Sequence, residues 1–207
     1  MKKVLKEFNK CEVRYCLLRN FESLSGELDI VIHKHDLSNV DSILVKHAFK
    51  KLPQQFSLKH IGYARGDDTF DIQVDGVYWN DMPYLSSEQV FHNKIKKGIV
   101  YTLGDEESFI MYVCHSILGK RRFRRKYKFE LIRLSKKVDI YYVIIVLSKV
   151  FGEQVALEII ANIRMNKFIE LENRVYYYLV CFFKKEPSRL YTFIPLFFRW
   201  LISRRLK

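Results

Sequence analysis

Two acids one residue apart, at the head of an alternating apolar run, constrain this chain more than any other feature. The run reads Glu27, Leu28, Asp29, Ile30, Val31, Ile32, and it follows a Ser25-Gly26 break. Successive side chains of a strand point to opposite faces, so positions two apart share a face. Leu28, Ile30 and Ile32 then form a buried stripe, and Glu27 and Asp29 project together from the other side. Adjacent carboxylates repel, and the arrangement becomes favourable when a divalent cation sits between them. Mg²⁺ takes hard oxygen ligands and completes its shell with substrate phosphates. A third acid, Asp71, lies in a second alternating run, Phe70, Asp71, Ile72, Gln73, Val74. It joins the first two only if the two strands are neighbours. Acids on an exposed strand face beside a turn also occur with no ligand at all.

The 207 residues suit one domain or two small ones, and a hydrophobic content of 49% is enough for a real core. The formal net charge of +13 favours a polyanionic partner: a nucleotide, a nucleic acid or an anionic membrane surface. The four cysteines, Cys11, Cys16, Cys114 and Cys181, form no CxxC pair and match no zinc spacing. Residues 1–10 are charged rather than apolar, so no secretory leader is expected. Free thiols in a reducing compartment place the protein in the cytoplasm, with peripheral membrane contact open. His33 and His35, which flank a lysine at a strand end, admit a metal site but more often mark surface histidines.

The first part of the chain reads as a mixed αβ unit. A short basic helix covers residues 2–9, with Val4, Leu5 and Phe8 at helical spacing. Strands are expected over 12–18 and 27–33. A helix capped by Asp36 or Ser38 runs to about Lys51, with Val40, Ile43, Leu44 and Ala48 as its stripe and Pro53 beyond its end. Residues 56–64 and 69–74 read as two strands about a turn at 65–68, and residues 77–79 extend the sheet. A short helical or irregular segment starts at 86–88 and ends near Gly98.

From Gly104 the pattern is helical. Asp105, Glu106 and Glu107 place acids in a first turn, where they complement the helix dipole. Phe109, Ile110, Val113 and Ile117 make the buried stripe, and His115 reads as a packed residue on the same helix. Further helices are expected over 129–137, 139–150, 153–166, 169–183 and 188–204. The chain is therefore of the α+β class, with an αβ domain over 1–100 and a helical domain over 101–207.

Between these helices lies the charge focus: Lys120, Arg121, Arg122, Arg124, Arg125, Lys126 and Lys128, with Phe123 and Tyr127 interleaved and no acid before Glu130. Arginine forks suit phosphate oxygens, and the two aromatics offer faces for a base. The same spacing of four also describes helix core packing, and a charge run also describes a plain solvated face. Residues 190–202 are apolar and aromatic, with basic residues around them. They are too few to span a bilayer; they suit an anionic membrane surface, a helix packed on its own domain, or a dimer partner.

The residues from Leu18 to Asp71 resemble the nucleotidyltransferase fold, the minimal polymerase-beta-like palm. In that superfamily a strand leads to a small-residue turn, some ten residues later comes an acid-x-acid pair, and a third acid follows on another strand. Here Leu18, Arg19 and Asn20 stand at the turn, Glu27 and Asp29 at the pair, and Asp71 at the third acid. Asn20 replaces the usual glycine, and Glu27 stands where Asp is usual. Over roughly residues 12–130 the chain is similar to a bacterial group of uncharacterised nucleotidyltransferase-like proteins often found with surface-polysaccharide genes. Glu106 and Glu107, His115 and Ser116, and Lys126 and Tyr127 fit the second half of that pattern.

The resemblance implies a small mixed sheet of nucleotidyltransferase type with a C-terminal helical domain. It implies transfer of a nucleotidyl group from an NTP to an unknown acceptor. Glu27 and Asp29 hold Mg²⁺ on the triphosphate, and Asp71 shares a second ion and helps activate the acceptor hydroxyl. Arg19, Asn20, Lys120, Arg121 and Lys126 contact phosphates. The altered turn and the high charge support a second expectation, a catalytically silent member that binds nucleic acid, an anionic membrane or a partner protein.

Overall fold

Val4, Leu5 and Phe8 recur at helical spacing, and they turn inward from helix α1 (Lys2–Lys10), whose lysines face out. The computed structural model describes residues 1–19, 24–53, 59–79 and 82–185. Two compact units make up the chain. One comprises Met1–Tyr78 and Pro83–Ser108; the other holds Trp79–Met82 and the chain from Phe109 onward.

The first unit is built on β1 (Tyr15–Leu17), β2 (Glu27–Ile32), β3 (Lys50–Lys51), β4 (His60–Arg65), β5 (Asp68–Val74), β8 (Ile95–Lys97) and β9 (Val100–Thr102). They form one mixed sheet in the order β3-β4-β5-β2-β1-β9-β8. β2 lies at its centre, parallel to β5 and antiparallel to β1. The register pairs Leu28 with Phe70 and Ile30 with Ile72, so these four share one face. Helices α1 and α2 (Leu37–Lys46) supply the cover for that face: Val4, Leu5, Phe8, Val40, Ile43 and Leu44 join Leu28, Ile30, Ile32, Phe70 and Ile72 in one core. Phe70 is its aromatic hub, 5.2 Å from the Phe49 ring and 6.3 Å from Phe8. Such ring pairs add about 0.5–1.5 kcal/mol each beyond their buried area. At both sheet edges the exposed positions are mainly lysines, Lys50 and Lys51 on β3 and Lys96 and Lys97 on β8, which discourages pairing with another chain.

Gly26 sets the start of β2. It sits at φ +75°, where a side chain is strained, and so admits the turn into the strand. Its N–H donates to Asp68 Oδ1 (3.2 Å), and its carbonyl accepts from Thr69 N–H (2.9 Å). The heads of β2 and β5 are thereby locked level, which fixes the register of every acid beyond them.

Several local expectations change. The helix expected to reach Lys51 ends at Lys46: Ala48 is exposed at φ +62°, and Phe49 takes the buried place that the stripe assigned to Ala48. The chain then re-enters the sheet as β3, so Pro53 terminates nothing helical. Residues 77–79 do not extend the main sheet. They belong to β6 (Gly76–Trp79), which pairs with β7 (Met82–Ser86) in a two-stranded sheet. After α3 (Ser87–His92), with its Ser86/Gln89 capping box, the chain forms the hairpin β8–β9 rather than irregular structure. The expected strand at 56–64 is described only from residue 59, and its strand begins at His60.

Helix α4 (Asp105–Cys114) carries the three acids in its first turn and runs into a π-helical turn, His115–Lys120. In the second unit follow α5 (Arg125–Leu134), α6 (Ile140–Phe151), α7 (Glu153–Arg164), α8 (Phe168–Asn173) and α9 (Val175–Lys185). Asp139 Oδ1 caps α6 by accepting from Tyr141 and Tyr142 N–H (2.9 and 3.4 Å). The helix expected over 169–183 is two helices, broken at Arg174. Phe182 joins α9 to this unit's core, 6.1 Å from Phe151 and 5.8 Å from Trp79. The expected helix at 188–204 and the apolar stretch 190–202 lie outside the described residues. Among those described, no helix is long and apolar enough to cross a membrane.

Candidate metal centre

The face of the sheet opposite the core carries the acids. In the parallel pair, Glu27 stands level with Thr69 and Asp29 level with Asp71. Side chains at Glu27, Asp29 and Asp71 therefore leave the same face of two adjacent strands. One carboxylate oxygen from each lies within 4.8 Å of the others. Glu27 is exposed, Asp71 half-buried and Asp29 buried, so the cluster runs from solvent into the sheet. Near 4 Å two like charges repel by about 1 kcal/mol in water and about 4 kcal/mol at the effective dielectric near a protein surface. Positive charge placed beside the acids offsets that repulsion.

Part of it comes from Arg19, just beyond the end of β1. Its Nε and Nη2 donate to Asp29 Oδ2 and Oδ1 at 2.5 and 2.9 Å, a two-pronged pair. The Asp29 side chain is only 4% exposed and that of Arg19 only 18%, so the pair is largely withdrawn from water. The sequence reading gave Arg19 to phosphates; the structure gives its fork to Asp29. A further polar contact falls on Asp71, whose Oδ1 lies 3.3 Å from His60 Nδ1 on the neighbouring β4. A carboxylate only accepts, so Nδ1 carries the proton in this contact.

The donor set fits a hard divalent ion. Six-coordinate Mg²⁺ holds oxygens at about 2.1 Å, which puts ligand oxygens about 3 Å apart in cis and about 4.2 Å apart in trans. The three carboxylate oxygens, all within 4.8 Å of one another, span little more than that trans distance. Sulfur and imidazole ligands, which favour zinc or copper, are not among the three.

The basic residues form another group. Lys120 ends the π-helical turn, Arg121 follows it at φ +55°, and Lys126 lies in the first turn of α5. All three are exposed and belong to the second unit. The interleaved aromatics are no base platform: Phe123 and Tyr127 are buried, against Phe168 (5.6 Å) and Tyr112 (5.2 Å) respectively. The spacing of four marks core packing here. Lys128 is tied to Glu172 at 3.0 Å. His115, partly buried, packs edge-on against Tyr127. His33 stacks on His35 and accepts the latter's N–H at the entry to the 3-10 turn Lys34–Asp36. Asn20 lies outside the described residues.

No family model matches this sequence, and no curated relative does. Solved structures do match. The crystal structure of ANT(2'')-Ia in complex with adenylyl-2''-tobramycin superposes with a TM-score of 0.50 at 10% identity, over 70% of this chain and 91% of that one. The solution structure of the antibiotic-resistance factor ANT(2'')-Ia gives 0.51 at 11% identity, over 76% and 92%. That crystal structure holds tobramycin carrying an adenylyl group. The fold is that of a nucleotidyltransferase.

Within this nucleotidyltransferase fold, sequence reasoning missed His60 and Asp68. Neither lies in an acid-x-acid pattern. His60 reaches Asp71 because it stands level with Gln73, two residues from Asp71 on the same face, and that follows only from the β4–β5 register. Asp68 acts on the backbone of Gly26, some forty residues away. The alternation around Asp71 and the Arg65-Gly66 turn are the only local traces of either.

Proposed function

We propose that this chain transfers a nucleotidyl group from a nucleoside triphosphate to an acceptor hydroxyl, with a divalent cation held by Glu27, Asp29 and Asp71. The observation that supports it is the convergence of three carboxylate oxygens within 4.8 Å on a sheet of this fold. When bound, Mg²⁺ polarises the α-phosphate and offsets the charge of the departing pyrophosphate. Asp29, anchored by Arg19, gives the site its fixed ligand. Glu27, at the exposed end, adapts its longer side chain to the substrate. Asp71 is open enough to meet an acceptor, and its carboxylate takes the proton as the acceptor oxygen bonds to the α-phosphorus. The bond from that phosphorus to the bridging oxygen breaks, and pyrophosphate leaves with the electron pair. Arg19 and Asn20 are the proposed phosphate contacts beside the acids, and Lys120, Arg121 and Lys126 of the second unit are a separate proposed phosphate-binding group.

The test is pyrophosphate release from ATP, CTP, GTP and UTP with Mg²⁺, offered a panel of hydroxyl acceptors. Release that depends on Mg²⁺ and vanishes in Asp29→Ala is the expected result. Equal release by wild type and Asp29→Ala overturns the reading. The exposed run of Arg121, Arg122, Arg124 and Arg125 favours one alternative, a silent nucleic-acid-binding protein. Salt-dependent binding to RNA, with no Mg²⁺-dependent nucleotide binding, is its signature.

A further inference from the structure

We infer that Arg19 is the resident counter-ion of the acid cluster: its guanidinium holds Asp29 until a metal–nucleotide complex arrives, so the cluster takes up a divalent ion together with a triphosphate and holds the bare ion weakly. This rests on the metal-dependent reading above and adds what controls the uptake.

The argument begins with the fork. Nε and Nη2 engage both oxygens of Asp29, at 2.5 and 2.9 Å, and both side chains are largely buried. A carboxylate oxygen has two acceptor positions, and the fork uses one on each. Asp29 keeps an acceptor position on either oxygen, so it remains able to ligate an ion shared with Glu27 and Asp71. That ion, however, would stand about 2 Å from an oxygen whose other neighbour is a guanidinium nitrogen. Two cations then share one carboxylate in a poorly hydrated place, where charge interactions are strong.

Charge balance gives the direction of the effect. Three carboxylates and one guanidinium leave a net charge of −2, against −3 without Arg19. A bare divalent ion is therefore attracted less than the acids alone would attract it. A triphosphate reverses this, because its oxygens add negative charge around the ion and offer the guanidinium a second acceptor of matching geometry. Metal and nucleotide should bind with strong mutual coupling, and coupling between two ligands is reciprocal.

The experiment is a Mn²⁺ titration followed by the free-ion electron paramagnetic resonance signal, with and without a non-hydrolysable NTP analogue. It is run on wild type, Arg19→Gln and Arg19→Lys. Glutamine removes the charge and keeps an amide donor; lysine keeps the charge and loses the fork. Arg19→Gln should bind Mn²⁺ alone about tenfold more tightly than wild type, and the gain on adding the analogue should shrink by a similar factor. Arg19→Lys should stay near wild type. A purely structural arginine would give the opposite sign, with weaker Mn²⁺ binding in both variants. Weakened or unchanged binding in Arg19→Gln overturns the inference and leaves the metal site standing. Absence of Mn²⁺ binding to wild type in either condition overturns the metal site as well. Circular dichroism of each variant, and the wild-type coupling itself, keep the test valid should Arg19→Gln fold poorly.

Discussion

Asp29 and Asp71 stand directly opposite each other across the parallel pair β2 and β5. Like charges in register across a sheet destabilise it, by about 0.2–1 kcal/mol on typical scales. A sheet that keeps such a pair at its centre, with Glu27 two residues away, trades stability for a site. Asp71→Asn should therefore raise the metal-free protein's resistance to urea, by up to about 1 kcal/mol, while weakening Mn²⁺ binding. Equilibrium unfolding with and without Mn²⁺ checks both halves. A variant that is less stable and still binds the ion would break the link.

His60 aims Asp71. Groups that hydrogen-bond a metal ligand commonly set its orientation, and their loss costs about tenfold or more in metal affinity. His60→Ala should loosen Mn²⁺ accordingly. His60→Asn, whose side-chain amide places a donor near the position of Nδ1, should recover most of the loss. Mn²⁺ affinity of the three proteins, by calorimetry, is the measure.

Thiol reactivity follows burial. Desolvation pushes the Cys16 and Cys114 thiols well above the usual range, and both are buried, so neither supplies a thiolate in the folded chain. Cys11 is exposed. A chromogenic disulfide reagent should modify Cys11 promptly in native protein and reach Cys16 and Cys114 only in denaturant. Peptide mapping identifies the sites.

Helices α1 and α2 are tied at the surface by Glu7, whose carboxylate meets Lys46 Nζ and His47 Nε2, each at 2.6 Å. The Lys46 bond first, and then the His47 bond, hold the Glu7 pKa below its ordinary 4.5. A depressed carboxylate pKa contributes stability that is present above the unfolded value and lost as pH falls through the folded one. Glu7→Gln should thus lower stability at neutral pH, where this contribution is present, flatten part of the acid limb below about pH 4.5, and converge with wild type at the acid end. Thermal melts from pH 3 to 7 test this.

Much of this structure was legible in the residues, for identifiable reasons. The alternation of Glu27 to Ile32 named both the strand and the face that carries acids, because a period of two admits few other readings. The same pattern placed Asp71 in a strand. Their adjacency was hidden, since β2 and β5 pair across some forty residues that hold α2, β3 and β4. The partners of the acids were hidden for the same reason: Arg19 and His60 reach the cluster through turns and register. In the basic run, a period of four served stacking and core packing equally, and burial of Phe123 and Tyr127 decided it. Ala48 and Arg174 end helices without proline or glycine. At Ala48 the core's demand for Phe49 overrides helix propensity. At Arg174 the side chain pairs with Glu158 (2.8 Å) and lies over the Tyr177 ring (4.6 Å).

The central claim is that Glu27, Asp29 and Asp71 act together on one ion that carries a nucleotide. Calorimetry of a non-hydrolysable NTP analogue tests it most directly, with Mg²⁺ and with chelator, on wild type and Asp29→Ala. The account predicts saturable binding by wild type only when Mg²⁺ is present, and none by Asp29→Ala in either condition. Binding of equal strength in chelator, or by Asp29→Ala with Mg²⁺, would contradict it.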